Sequence, residues 1–535
     1  MKKLFLFAAL AAMTIVSCTK EVITDGEVLD GDGTYATFAF NLAGPSGKAA
    51  ADFEPIAVTE GDVLDAVIGV GDLYILVFNN MGALEYFSAV SANPHTALVS
   101  AGSGKRIFVL ANMGSATAKQ TGAFSALPLN AQGGLVADAM GTPIVGATIA
   151  DIQSAFLGSG YSYAEFMALA FSAGTPQAHN VAKTGARTFS VVPLSGRVGG
   201  SPTAFGLPMS NTNEVLYTFA PNITDDATGA GDTTVPASPS GTNAKNRFSV
   251  QLKYLGAKAR LVVNPASFSQ TTAEITAPLY SIKNLAKYTS LIQNIVAGNP
   301  RSIYYGHAWG GTYINDIDQA STVSLTPATA ANAGFVYVPE NNNSGSLPRG
   351  QSSFYALNVT YKPYNVVSAV VFNPLTQKAD LTTSSYTAQG LSAYVYVTDV
   401  AVLGDMTTPF FATPLLLAQA YWMNDNGKNI TDASYASSGG DAAALALIAG
   451  KYKAYANAQS WYRLDIGSGT GSSTQYGVLR GNAYTATVNN ITGPGEPSEG
   501  ALFDDPDAPV VARTYINVTI NTAVWTPVTQ SGELN

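Results

Sequence analysis

The hydrophobic positions of this chain fall mostly into short alternating runs closed by Gly, Pro, Asn or Asp. A period of two marks a strand with one buried face. TYATFAFNLA (34–43) sets Phe38, Phe40 and Leu42 on one face, with Thr37, Ala39 and Asn41 on the other. Unbroken apolar runs in DLYILVFNN (72–80) and KRIFVLANMG (105–114) predict strands buried on both faces. Further strands are expected at 188–193, 247–265, 335–338, 354–361, 366–372, 393–399, 460–467 and 475–495. Helices are expected at 150–157, at 163–171 and at 441–458, the last with Asp441 as its N-cap before an Ala/Leu-rich run. The chain ends TYINVTINTAVWTPVTQSGELN (514–535), where Ile516, Val518 and Ile520 alternate and Val524, Trp525 and Val528 follow almost at the terminus. Such a pattern needs a sheet to receive it.

With 535 residues the chain exceeds one core, and two or three domains are expected. Many short strands, Gly-rich turns and rare helices give an all-β fold class with few short helices, built from β-sandwich domains. A Gly/Thr/Ser/Pro-rich span at 221–245 precedes RFSVQLKYLGAKARLVVNP (247–265), which opens a second domain.

Composition narrows the chemistry. Charged residues are 12% of the chain and the net charge is -9, which argues against nucleic acid as a partner because phosphate binding needs a basic face. Three histidines and one cysteine leave little for metal or nucleophile chemistry, and no cofactor is expected. The cysteine is informative by position. Lys2 and Lys3 precede an apolar run from Leu4 to Val16, too short to span a bilayer, and Ser17-Cys18 closes it. A small residue before a cysteine at that place resembles a bacterial lipobox. It implies diacylglycerol on Cys18, cleavage before it and stable anchoring through two or three acyl chains. Thr19 in the next position favours the outer membrane. Residues 19–33 read as an acidic tether. Asp30-Gly31-Asp32-Gly33 hints at a calcium loop but lacks the later ligands.

Several segments together resemble the fimbrillins of type V pili, the fimbrillin A and Mfa-like lipoproteins of Bacteroidales. These are the lipobox, LYILVF (73–78), ANMG (111–114), LPMSN (207–211), YLGAKARLVV (254–263), WYRLDI (461–466) and YGVLRGNAYTATVNNITGPG (476–495). Arg480 and Tyr484 keep the spacing of the family's strand motif, while Gly481 replaces the family's Asn. The tail is most similar to the Mfa-type major subunit. The resemblance implies two transthyretin-like β-sandwich domains in tandem and a pilus subunit that polymerises by strand exchange. A trypsin-like protease of Arg/Lys specificity would cut the loop after the first strand. That strand would leave, and the C-terminal strand of another copy would fill the groove. The implied division is a signal peptide 1–17, a propeptide 18–48 with lipidated Cys18 and the displaced strand, domains 49–245 and 246–512, and a donor strand 513–535. Implied partners are copies of the chain, accessory anchor and tip subunits, the protease, host or bacterial surface ligands and, before cleavage, the outer membrane.

The residues meet the demands of that scheme. Phe38, Phe40 and Leu42 give the displaced strand an apolar face, each worth about 1.5–3 kcal/mol when buried. Between Cys18 and Lys105 the only basic residues are Lys20 and Lys48, and Lys48-Ala49 lies in the small-residue loop PSGKAAA. The tail supplies Ile516, Val518, Ile520, Val524, Trp525 and Val528 as donor-strand positions. It can instead close its own sandwich, or be shared, with 514–521 kept at home and 523–534 donated. Pro527 calls for an unpaired edge position.

Two other readings remain. His95, His179 and His307 lack metal-site or catalytic spacing, and Asp316 and Asp318 read as solvated charges rather than paired acid and base. An enzyme is therefore disfavoured. A glycan-binding surface lipoprotein, or a tip adhesin of the same pilus, is the stronger alternative. SIYYGHAWGGTYIND (302–316) clusters Tyr304, Tyr305 and Trp309, whose faces can stack on sugars or fill a core.

Overall fold

The structure is a computed structural model of the full chain. It describes residues 33–42, 73–89, 95–111, 170–172, 188–190, 209–211, 216–223, 241–243, 246–264, 272–286, 288–290, 292–296, 299–301, 317–318, 326–327, 336–342, 349–467, 477–506 and 516–524. The strands of the first half are β1 (Gly33–Leu42), β2 (Leu73–Phe78), β3 (Leu84–Ala89), β4 (His95–Ser100), β5 (Gly102–Ala111), β6 (Ala170–Ser172), β7 (Thr188–Ser190), β8 (Met209–Asn211), β9 (Leu216–Phe219), β10 (Gly241–Asn243) and β11 (Arg247–Tyr254). Nine of them form one hydrogen-bonded system in the order β10-β9-β5-β8-β11-β1-β4, with β2 on β5 and β3 on β2. The unbroken apolar run of β2 is buried throughout Tyr74–Phe78. A tight turn follows it, in which the Asn79 side chain accepts from the N–H groups of Met81 and Ala83 at 3.0 and 2.9 Å. Inward residues of β1, β2, β4, β5, β9 and β11 meet in one core.

The second half contains β12 (Gly256–Val263), β13 (Ala273–Lys283), β14 (Leu285–Ala286), β15 (Tyr288–Ser290), β16 (Asn294–Val296), β17 (Asn299–Arg301), β18 (Ile317–Asp318), β19 (Thr326–Pro327), β20 (Val336–Pro339), β21 (Phe354–Pro363), β22 (Val366–Asn373), β23 (Lys378–Ser384), β24 (Ala393–Val397), β25 (Phe410–Phe411), β26 (Tyr452–Ala456), β27 (Gln459–Asp465), β28 (Asn482–Ile491) and β29 (Ile516–Val524). Two four-stranded sheets, β20-β12-β28-β29 and β19-β13-β21-β27, pack on a shared core rich in Tyr, Val and Ala. Short pairs β14-β18 and β16-β17, and the sheet β15-β6-β7, complete the ladders.

Between β21 and β27 lies an insertion, the sheet β23-β22-β25-β24-β26 with helices α1 (Val400–Leu403), α2 (Pro414–Asn426), α3 (Ala433–Ser437) and α4 (Gly440–Leu447), which shares Tyr394, Phe410 and Tyr455 with the sandwich core. Their core includes Phe411, Leu417, Trp422 and Tyr435. Here the expected helix 441–458 is corrected. Only 440–447 is helical, Gly439 holds the N-cap position, and Asp441 stands in the first turn accepting from Tyr435 Oη at 2.6 Å. Gly450 takes a φ of +74°, which ends any helix there. The alternating YKAYA that follows is β26, paired with β24. Residues 170–171, the end of the expected helix 163–171, belong to strand β6 instead.

The main sheets of the two halves repeat one pattern. β11 pairs antiparallel with β8 and parallel with β1, which pairs antiparallel with β4. β12 pairs antiparallel with β20 and parallel with β28, which pairs antiparallel with β29. Only Leu255, buried at a bend, separates β11 from β12, so one stretch of backbone serves both sheets.

Candidate functional site

The first strand holds an interior place. β1 is bonded to β11 through Thr37–Leu42 and to β4 through Gly33–Phe38. Its inward face reads Thr34, Ala36, Phe38 and Phe40, all at most 2% exposed. The Phe38 ring stacks on Phe248 with centroids 5.9 Å apart and meets Phe219 at 6.3 Å. At about 1.5–3 kcal/mol per buried ring, Phe38 and Phe40 alone contribute about 3–6 kcal/mol. Leu42 is placed by its backbone, opposite Leu252. Without β1, β11 and β4 would each lose a ladder and the core one wall.

The head of the strand is held by a polar cluster. Asn246, fully buried just before β11, has a φ of +47°, a conformation Asn tolerates better than most residues. Its amide donates to the Thr34 hydroxyl at 3.0 Å, to the Tyr35 carbonyl at 3.1 Å and to the Ala220 carbonyl at 2.9 Å. Its carbonyl oxygen accepts from Ala220 N–H at 2.7 Å. Thr34 Oγ1 in turn donates to the Ala220 carbonyl at 2.7 Å and accepts from Ile223 N–H at 3.1 Å. Backbone bonds from Tyr35 N–H to Ile223 and from Thr37 N–H to Asn246 close the arrangement at 3.0 and 2.8 Å. Hydrophobic patterning finds Phe38 and Phe40 but passes over this cluster, because Thr34 and Asn246 are 212 residues apart.

The tail is received by the chain's own second half. β29 pairs antiparallel with β28, so that Ile516, Val518, Ile520 and Val524 stand opposite Ile491, Val488, Ala486 and Asn482. It forms the end of the β20-β12-β28-β29 sheet, bonded along one side only among the described residues. The register sets the alternating positions Ile516, Val518 and Ile520 against three fully buried residues of β28.

The strand motif lies where the halves meet. Arg480 is buried, its Nε and Nη2 donating to Glu340 Oε2 at 2.8 and 2.7 Å. The other Glu340 oxygen accepts from Gln293 at 2.7 Å, and Arg480 Nη1 reaches Ser210 Oγ of β8 at 3.5 Å. Gly481 follows with a φ of +72° and donates its N–H to the Gly256 carbonyl at 2.8 Å. Gly and Asn are the two residues that enter this region most readily, which reconciles Gly481 with the Asn of the resembling strand. Tyr484 is buried, its hydroxyl accepting from Leu479 N–H at 3.0 Å, and burial raises its pKa.

Cys18, Lys48, Ala49, Tyr304, Tyr305, Trp309, Trp525 and Val528 lie outside the described residues, as do His179, His307 and Asp316. His95 Nε2 is bonded to Tyr86 Oη at 2.9 Å. No group of three metal-ligating side chains occurs among the described residues, and no described helix is long and apolar enough to cross a membrane.

Comparison with known proteins adds to this geometry. Residues 453–531 match the family model described as major fimbrial subunit protein type IV, fimbrillin, C-terminal. The match takes in β27, β28 and β29 together with most of β26. No curated protein matches. Among solved structures the chain is similar to a fimbrilin from Porphyromonas gingivalis W83, at 12% identity over 93% of this chain and 99% of that one, with a TM-score of 0.38. It is also similar to the tip fimbrial protein Mfa3 from Porphyromonas gingivalis, at 12% identity over 92% and 100%, with a TM-score of 0.31. At these scores the structural likeness carries no functional weight. The matched residues 453–531 carry Arg480, Tyr484 and the paired strands β28 and β29, and it is this stretch that is similar to the fimbrillin C-terminal family.

Proposed function

We propose that this protein is a structural subunit of a cell-surface fimbrium that polymerises by protease-triggered strand exchange. It acts as neither an enzyme nor a carrier of a cofactor. The observation that supports this most directly is the seat of β1: an apolar strand bonded on both sides and followed in sequence by the small-residue loop around Lys48. In this reading the precursor is anchored to the outer membrane through lipid on Cys18, and cutting between Lys48 and Ala49 severs β1 from its domain. The open seat exposes two backbone edges and a hydrophobic floor, a combination that binds an extended strand. The C-terminal strand of another copy fills it, and accessory anchor and tip subunits join by the same exchange.

The distribution of basic residues favours a single cut. After Lys48 the next basic residue is Lys105. It is held inside β5 by bonds to Glu85 at 2.6 and 2.8 Å and to Ser100. In this reading a protease of Lys/Arg specificity finds Lys48 within the small-residue sequence PSGKAAA, whereas Lys105 sits in a buried ion pair.

N-terminal sequencing of fibres sheared from cells tests the scheme. Ala49 is the expected first residue. Polymer that still carries acylated Cys18 and β1 would overturn the cleavage step.

A further inference from the structure

The eight residues that begin the inward face of β1, TYATFAFN (34–41), have a counterpart in the tail, TYINVTIN (514–521). Thr, Tyr and the final Asn are identical. The positions that β1 buries as Ala36, Phe38 and Phe40 become Ile516, Val518 and Ile520, so apolar answers apolar throughout. The identical Thr is the one that matters chemically. Thr34 is the strand residue bonded to Asn246, Ala220 and Ile223 in a fully buried setting.

From this we infer that Asn246 and the neighbouring backbone of Ala220 and Ile223 form a register-fixing site that reads a hydroxyl at the head of the incoming strand, and that Thr514 of a second copy supplies it. The inference rests on the strand-exchange reading and deepens it, naming the occupant and its alignment. Asn246 and Thr514 are positioning residues. A seat lined by alternating apolar pockets alone accepts a strand in any register shifted by two. A buried amide with fixed partners does not, because an apolar side chain opposite it leaves donors and acceptors unpaired. Shifting by eight brings Thr522 to the site, but then Thr526 replaces Phe38 in the deepest part of the core and Pro527 follows. The register headed by Thr514 has neither fault.

Two consequences follow for the tail. The shared N-to-C order of the two segments makes the incoming strand run parallel to β11, as β1 does. The donated segment becomes 514–521 rather than 523–534, so β29 must leave its own sheet. Among the described residues β29 at home has one ladder, with β28, whereas the seat of β1 offers two, with β11 and β4. Exchange therefore gains a ladder.

The test uses the full-length precursor, digested with a Lys-specific protease and followed by ladder formation on gels, beside thermal melting of the uncut protein. Thr514→Val should leave the melting of the precursor unchanged, since Thr34 still fills the site, and should slow or weaken chain formation about tenfold. Thr514→Ser, which keeps the hydroxyl, should restore it. Asn246→Ala should lower both the precursor melting temperature and chain yield. Normal ladders from Thr514→Val would overturn the register site. Deletion of residues 513–535 separates the two ideas: loss of ladders on that deletion, with normal ladders from Thr514→Val, keeps strand exchange and removes the Thr514 assignment. Ladders that survive the deletion would remove strand exchange itself, and the site with it.

Discussion

Phe38 has no exposed surface, and its ring is enclosed by Phe248 and Phe219. Truncation to Ala there removes a buried ring and leaves a cavity, which typically costs about 3–5 kcal/mol. Phe38→Ala should therefore lower the denaturant midpoint of the uncut precursor by that equivalent. In the strand-exchange reading it should leave the stability of assembled fibres untouched, because β1 is absent from them. Arg480 makes a contrasting case. Its partner Glu340 is 2% exposed, so replacing Arg480 with Met strands a carboxylate in the interior. Breaking one half of a buried pair costs about 3–5 kcal/mol, and denaturation of the Arg480→Met variant should show it.

At the scale of elements, most strands were legible because alternation and unbroken apolar runs report burial directly. β2 falls inside the expected 72–80, β21 extends the expected 354–361 by two residues, and β28 lies within 475–495. The insertion was read less well. α2 carried its signals openly: Thr413 as N-cap, Pro414 in the first turn and Gly427 beyond the end at a φ of +63°. Its bulky apolar residues are spread around the helix, so no amphipathic stripe announced it. The stretch 441–458 failed for the opposite reason, since Ala-rich composition continued past Gly450 into a strand. The polar cluster at Thr34 and Asn246 was invisible to any local pattern, as its members come from β1, the turn after β9 and the residue just before β11. Tertiary pairing alone joins them.

For the whole molecule, both sandwiches bury tyrosines. Burial pushes the Tyr217 and Tyr280 hydroxyls up to about 12 and raises those of Tyr361 and Tyr394 as well. Tyr394 and Tyr455 stack with centroids 4.9 Å apart, so ionising one would place charge against its neighbour. Below the ordinary value of 10, folded and unfolded chains are equally protonated and these groups leave stability unchanged. Above it the unfolded chain releases protons that the folded one keeps, and stability falls until the folded values are passed. Denaturant midpoints measured from neutral to alkaline pH should stay flat with respect to tyrosine until about pH 10, then decline towards pH 12. The tyrosinate absorbance of these buried groups should rise together with unfolding rather than before it.

The bend at Leu255 gives the molecule a mechanical character. Because β11 and β12 are one stretch of backbone, tension entering at the seat of β1 passes into the second sheet along covalent bonds. On one flank of that stretch β1 and β28 lie parallel to it, so a pull along the axis loads those rows of hydrogen bonds together instead of peeling them one by one. Resistance to such a pull is set by the rate of unfolding under load, not by equilibrium stability. In the strand-exchange reading, a filament of such subunits should behave under flow as a cable whose weakest link is the inserted strand.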